Sequence, residues 1–282
     1  MTAIYRADTI SSLLRPAYLK DARQAWEAGV LPASEFKRLE DRAVDEAIAL
    51  QDAAGLDVVS DGEMRRYLFT GVLTEAIDGL EQIPGASVHW HGQTPQEGMD
   101  FRLPSCVTGK LRRRRFLATE EFAYARGKAQ KALKISLPSP MLLALYWSPE
   151  HSPAAYRDPF ALFADAVDLL RQDIHELSSL GCEYIQIDAP ELATLVDESI
   201  RRNVYEAIGI SPARMLSEGI EMLNALADAP GVMFGLQMCR GNNQGRWLSQ
   251  GGYEVIATQV FQGARHYDIF LLEYKNQSRG TG

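Results

Sequence analysis

In the stretch GLQMCRGNNQGRW, residues 235–247, an apolar run gives way at Cys239 to a loop rich in Gly and Asn. A cysteine in that place has two chemistries open to it: a metal-bound thiolate, or a small apolar side chain in a core. Alternation along a strand puts Gln237 on the same face, so an amide is the first group a metal would meet beside Cys239. The other candidates carry oxygen. Ser12, Asp61 with Glu63, Ser136, Asp188 and Glu273 each fall near the end of a short apolar run. Carboxylates such as Glu63 and Asp188, if brought together, would clamp one ammonium group by charge-assisted hydrogen bonds. Taken singly, the plain alternatives are a strand-end cap for Asp188, less suited to an acid that follows YIQI and precedes Pro190, and a surface loop acid for Glu63.

These residues matter as a set only if the chain brings the ends of the runs to one rim. Seven runs, at 9–14, 57–63, 104–110, 133–140, 183–190, 232–239 and 268–274, alternate with segments of helical period. Asp158 and Pro159 supply a cap and first turn, and Phe160, Phe163, Val167, Leu170, Ile174 and Leu177 then recur as one stripe before Gly181. A second helix is predicted over 34–54, with Phe36, Leu39, Ala43, Ala47 and Leu50 inward and Gly55 after its end; Ser211 and Pro212 open a third. The expected fold is α/β, a TIM-type parallel (β/α)8 barrel whose eighth βα unit is left open, forming one domain over 1–282. A doubly wound sheet also binds ligands at strand ends, but no Gly-x-Gly-x-x-Gly turn follows the first run, which removes the dinucleotide version. Residues at about 78–103, rich in Gly, Pro and Gln, read as a loop excursion. Its His89 and His91 alternate, toward either a metal or satisfied surface positions.

Composition narrows the partners. With 46% hydrophobic and 23% charged residues the chain is an ordinary globular one, and a net charge of −8 argues against nucleic acid. The basic run KLRRRRF, residues 110–116, reads as a solvated strand end or an anion site, with Arg112 and Arg114 on one face and Arg113 and Arg115 on the other. The N-terminus has no signal-peptide pattern and the apolar stretch MLLALYW is too short to span a bilayer, so a cytoplasmic location without membrane partners is expected. Three cysteines leave one unpaired in any disulfide scheme; Cys106 and Cys182 are expected in the core.

DVVSDGEMRR, EYIQIDAPEL, GLQMCRGN and FLLEY together resemble the cobalamin-independent methionine synthase family, in particular short members made of the C-terminal catalytic barrel alone. ISSLLRP, CVTGKLRRRR and LPSP extend the resemblance over nearly the whole chain, in the family's order. The resemblance implies a zinc-dependent S-methyltransferase of methionine biosynthesis, carrying a methyl group from a donor to the thiol of homocysteine or a similar thiol. In that family zinc is held by a His-x-Cys strand end, a Glu on the next strand and a Cys on the last, and stabilises the acceptor as thiolate. Carried over, Cys239 and Glu273 are metal ligands, with Gln237 at the position of the His. Asp188 and Glu63 bind the substrate amino group, and Ser12 lies near its carboxylate. The family's last Cys sits on an eighth strand with no counterpart in these residues, so an open barrel edge and a homo-oligomer are expected. Three rival readings stand beside this one. They are a non-catalytic barrel that keeps the amino-acid site, a thiol alkyltransferase with a coenzyme-M-type acceptor, and a metal-free decarboxylase of the uroporphyrinogen type using Arg65, Arg66 and Arg240.

Overall fold

The computed structural model describes residues 8–273. Its strands in chain order are β1 (Val58–Val59), β2 (Ile77–Glu81), β3 (Ser87–Trp90), β4 (Met99–Arg102), β5 (Cys106–Arg113), β6 (Ala132–Pro138), β7 (Tyr184–Asp188), β8 (Met233–Met238) and β9 (Ile269–Leu272). Five of them make one parallel sheet in the order β1-β6-β7-β8-β9. The chain is thus an α/β fold built on a parallel sheet, and among the described residues five strands pair where seven were expected.

The two missing strands have separate physical causes. Residues 104–110 do form a strand, but β5 pairs antiparallel with β2. Parallel strands in α/β folds are covered on both faces, and a strand running into Lys110, Arg112 and Arg113 has five of its eight residues in reach of solvent. Residues 9–14 run beside the sheet without joining its ladder. Ser11 is in the left-handed region at φ +72°, which breaks an extended strand. Side chains fasten this segment instead: Lys134 Nζ to Asp8 at 2.7 Å, Tyr184 Oη to Asp8 at 2.9 Å and Ser60 Oγ to the Ser11 carbonyl at 2.8 Å. The excursion at about 78–103 is more ordered than expected, since β3 and β4 form an antiparallel ribbon whose His91 bridges Trp247 through two backbone hydrogen bonds of 2.7 and 3.1 Å.

The helix over Pro159–Ser179 forms as its stripe predicts. Asp158 Oδ1 accepts the Phe160 N–H at 3.0 Å, and Phe160, Phe163, Val167, Leu170, Ile174 and Leu177 are all buried. The helix over Ala33–Ala53 packs with Ala17–Glu27 into a second apolar cluster containing Phe36, Val44, Ile48 and Met64. Leu50, expected inward, is 66% exposed. Cys106 and Cys182 are buried free thiols, as expected of core residues. No helix among the described residues is long and apolar enough to cross a membrane.

Candidate functional site

Alternation along the parallel strands sorts side chains into two faces. Ile135, Leu137, Ile185, Ile187, Phe234 and Leu236 are buried in the main apolar core, while Lys134, Ser136, Tyr184, Gln186, Asp188 and Gln237 take the other parity. The register stacks this second set in layers: Ser136 beside Gln186 and Gly235, then Pro138 beside Asp188, Gln237 and Leu271. Gly235 makes room for the layer beneath, because a Cβ there would lie 3.1 Å from Tyr184 Oη and 3.0 Å from Leu271 Cδ1.

Glu63 enters from the turn after β1. Gly62 and Glu63 both have positive φ, +70° and +55°, an arrangement that costs a non-glycine residue about 1–2 kcal/mol. The turn is held by the Glu63 N–H on Asp61 Oδ1 at 3.0 Å, and by Arg15 donating to the carbonyls of Glu63 at 3.0 Å and Arg66 at 2.9 Å. Strain of this kind persists only where the surrounding structure holds the residue firmly. Here the Glu63 carboxylate meets Ser136, whose Oγ donates to Oε1 at 2.6 Å. Glu63 Oε2 and Asp61 Oδ2 are buried and without hydrogen-bond partners.

Three cations accompany these acids: Arg15, which feels the charge of Glu63 while donating to backbone carbonyls, and Arg66 and Lys134, which have acid partners of their own. Arg66 pairs with Glu121 through Nε and Nη2, at 3.0 and 2.6 Å, with side chains 1% and 0% exposed. Its Nη1 is 3.9 Å from Glu63 Oε1. Burial alone would lower the Arg66 pKa, but the charges of Glu121 and Glu63 raise it, so the guanidinium stays charged. Lys134 is taken by Asp8. Asp188 accepts 2.6 Å from Gln186 Nε2, and its carboxyl is pushed up to about 8, first by burial and then by the charge of Glu63. Glu63 and Asp188 are therefore brought together as expected, with Asp61 as a third acid.

Beyond this layer, Cys239 and Glu273 follow two residues after the register pair Gln237 and Leu271. The Cys239 thiol hydrogen-bonds Glu273 and accepts the Gly241 N–H at 3.1 Å; burial, then Glu273, push it up to about 12. Glu273 also accepts the Arg240 backbone N–H at 2.6 Å. Gln237 lies on β8 between Asp188 and Leu271 and is buried. The ligand set for zinc is not assembled. A catalytic zinc site uses three protein ligands, and the metal end offers one thiol, one carboxylate and an amide. Among the described residues no group of three or more His, Cys, Asp or Glu is placed to hold a metal ion. Protein purified without added zinc is expected to carry well under one equivalent by metal analysis, and Gln237→His to carry more, because it adds an imidazole next to Cys239. Unchanged zinc content in the variant would mean that position 237 does not face the site.

Other expectations shift. Ser12 is exposed; the buried hydroxyl is that of Ser11, whose Oγ lacks a partner. His89 holds Asp100 through Nδ1 at 2.8 Å and meets His91 edge-on at 5.2 Å between centroids, with no metal cluster around them among the described residues. In the basic run, Arg113 pairs with Asp173, Arg114 with Asp78 and Arg115 with Glu120, which favours the structural reading. The decarboxylase reading loses Arg65 to Asp41 and Arg66 to Glu121. Sequence reasoning missed Gln186 and Glu121. Gln186 was within reach, two residues before Asp188 on the same strand face; Glu121 was legible only as an acid beside Ala118, Phe122 and Ala125 on a buried helix face.

Residues 7–220 match the family described as cobalamin-independent synthase, catalytic domain. The chain belongs to the cobalamin-independent methionine synthase family. That membership suggests a methyltransferase. The matched span contains Glu63 and Asp188 and stops before Gln237, Cys239 and Glu273. Among similar proteins, the uncharacterized protein YxjH of Bacillus subtilis is 29% identical over 283 residues, 99% of this chain and 73% of that protein. A 5-methyltetrahydropteroyltriglutamate–homocysteine methyltransferase of Mycobacterium tuberculosis is 30% identical over 191 residues, 67% of this chain but 24% of the longer enzyme. In fold, the chain is similar to a B12-independent methionine synthase from Shewanella in complex with selenomethionine, with a TM-score of 0.66, 19% identity and coverage of 89% of this chain and 68% of that one. A putative vitamin-B12 independent methionine synthase from Listeria monocytogenes gives 0.63 and 20% identity over 99% of this chain and 85% of that one.

Proposed function

We propose that the chain binds a sulfur-containing α-amino acid of the homocysteine or methionine class by its ammonium group, between Glu63 and Asp188, as part of methyl transfer at sulfur. The observation that carries this reading is the pair of buried carboxylate oxygens without partners, Glu63 Oε2 and Asp61 Oδ2, close to a third acid whose proton is held by burial and by Glu63. Buried carboxylates are costly unless paired; Arg66 and Lys134 are committed to Glu121 and Asp8, and Arg15, which feels the charge of Glu63, donates to the carbonyls of Glu63 and Arg66 and not to these two oxygens. An incoming ammonium group supplies the missing donors. The selenomethionine complex of the Shewanella protein supports the same ligand class.

In this reading Ser136 and Arg66 orient Glu63, Gln186 orients Asp188, and the amino-acid side chain runs along the strand ends toward Gln237 and Cys239. No catalytic step is assigned to zinc, because the described residues do not make its site. A second reading, an amino-acid-binding barrel without catalysis, is favoured by one observation, the Gln237 amide where the resemblance calls for an imidazole ligand. A coenzyme-M-type acceptor fits less well, since its sulfonate would face Asp61, Glu63 and Asp188.

Calorimetric titration with methionine and homocysteine tests the clamp. Saturable one-to-one binding is expected, and Asp188→Asn should weaken it by about 1.5–3 kcal/mol, the range for a hydrogen bond to a charged group. Equal affinity in both proteins would remove Asp188 from the site. Methyl transfer to homocysteine then separates the enzyme from the binding protein.

A further inference from the structure

A cavity of about 30 Å3, partly open, lies at the same end of the parallel sheet as the clamp. Val88 on β3, Leu145 after β6, Leu248 after β8, and Pro190 and Glu191 just after β7 supply its walls. Val204 and Tyr205 reach it from Arg201–Tyr205, a π-helical turn, a backbone form frequent at functional sites. Among the described residues that line it there is no Lys, Arg or His.

Glu191 is the acid in this wall and is 2% exposed. Ser139 Oγ donates to its Oε1 at 2.6 Å, while Oε2 is buried without a hydrogen-bond partner. Burial pushes the carboxyl up to about 8, with the Ser139 hydroxyl acting against that and the charge of Asp188 acting with it. Tyr205 and Tyr267 are the other titratable groups that feel Glu191. At neutral pH the side chain is therefore a carboxylic acid, with its proton on the oxygen that Ser139 leaves free. The neighbouring hydroxyls have spent their own protons. Thr194 Oγ1 donates to the Glu191 carbonyl at 2.9 Å, so Tyr205 Oη is the donor in the 2.7 Å bond between the two.

Within this wall the Glu191 Oε2–H is thus a hydrogen-bond donor left unused among apolar side chains. A buried water needs two to four polar partners, and a cavity of this size, about one water's share of liquid volume, suits the end of a ligand rather than a whole one. An anion would meet the charge of Asp188 with no counter-ion in the wall, and a cation would first have to strip Glu191 of its proton. An uncharged acceptor needs neither. We propose that the cavity is a second binding site, for the carbonyl end of an uncharged ligand with an apolar chain, and that the Glu191 carboxylic acid holds that carbonyl as hydrogen-bond donor. The site does not depend on the ammonium clamp.

The test follows isotope-labelled methionine methyl groups by NMR in the 282-residue chain, because Met141 lines the cavity and Met141→Leu assigns its signal. Butanone is the probe, with butyrate and butylamine as its charged counterparts. Butanone is expected to shift the Met141 signal saturably and to bind about tenfold more weakly at pH 9 than at pH 7, because the ligand takes the protonated form of a group that titrates at about 8. That sign is opposite to the one expected for an ammonium ligand on Asp188, which separates the two sites. Glu191→Gln keeps a donor in place and should hold the pH 7 affinity within about threefold while removing the pH dependence. If that variant does not fold, the profile of the unaltered protein decides. No saturable shift at Met141, an affinity that is flat or rises from pH 7 to pH 9, or tighter binding of butyrate or butylamine each overturns the inference and leaves the clamp standing.

Discussion

Glu121→Ala is expected to destabilise the protein by about 3–5 kcal/mol, measured by chemical denaturation, although Glu121 lies outside the ligand pocket. Its partner Arg66 is fully buried, and the carboxylate takes two of its nitrogens at 2.6 and 3.0 Å. Removing that carboxylate leaves a buried guanidinium with the Phe69 and Ser136 oxygens and the more distant charges of Glu63 and Asp61 to compensate. The Arg66 side chain would then have to turn fully onto Glu63 or open the structure to water. Either response displaces Glu63 from Ser136. A double replacement, Arg66→Met with Glu121→Leu, separates the two consequences. Replacing both partners of a buried pair by apolar groups is often neutral for stability, so most of the loss should be recovered. Ammonium binding should not recover with it, since the Arg66 bridge between Glu63 and the Ser136 carbonyl is gone. Full recovery of both would mean that the pair serves packing alone.

The legible and illegible parts of the molecule differ in the kind of interaction that makes them. The helix over Pro159–Ser179 was readable because one long apolar stripe and one cap determine it. The neighbouring helix over Ala33–Ala53 was readable in extent but not in facing. Gln51 occupies its buried side by bonding Ser60 N–H and O at 2.9 and 2.8 Å, which turns Val44 and Ile48 inward and leaves Leu50 in solvent. A polar side chain in an apolar place is invisible to hydrophobic periodicity until its partner is known. The same reason hides Glu121, whose buried position makes sense only beside Arg66. For the strands, apolar runs located β6, β7 and β8 well because each is sequestered inside the sheet, and β9, last in the described order with all four residues half-buried, still pairs along its apolar run with β8. β5 misled because an apolar start with a basic end fits an antiparallel ribbon as well as a sheet core, and only pairing with β2 decides between them. At the site, Glu63 and Asp188 were singled out by resemblance and by position at run ends, whereas Ser11 and Ser12 were indistinguishable until the positive φ at Ser11 set which one turns inward.

The second large effect concerns pH. Ligand affinity is expected to rise about tenfold per pH unit between pH 6 and pH 8 and then to level off, a gain of about 2.7 kcal/mol across the window. Asp188 titrates at about 8, raised first by burial and then by Glu63, with Gln186, Arg66 and Lys134 pulling the other way. Below that pH its carboxyl carries a proton, and an ammonium ligand must displace it, so binding releases about one proton and weakens as protons become more abundant. Above it the carboxylate is already charged and the dependence ends. The unliganded protein should show the opposite trend. A carboxyl with a folded-state pKa above its unfolded value binds the extra proton in the folded state. Stability is therefore greatest at the acid end of the window and declines by up to about 1.4 kcal/mol per pH unit as pH rises toward 8. Glu191, raised to about 8 by its own burial, adds to that decline without touching the proposed clamp. Asp188→Asn distinguishes the two contributions. It should flatten the affinity profile entirely and the stability profile only in part, because Glu191 is unchanged. Calorimetry of methionine binding in phosphate and in Tris, which differ in protonation enthalpy, reads the released proton directly. Equal heats in the two buffers at pH 7, together with an affinity that does not change from pH 6 to 8, would show that Asp188 is already ionised in the free pocket and that Glu63 does not act on it.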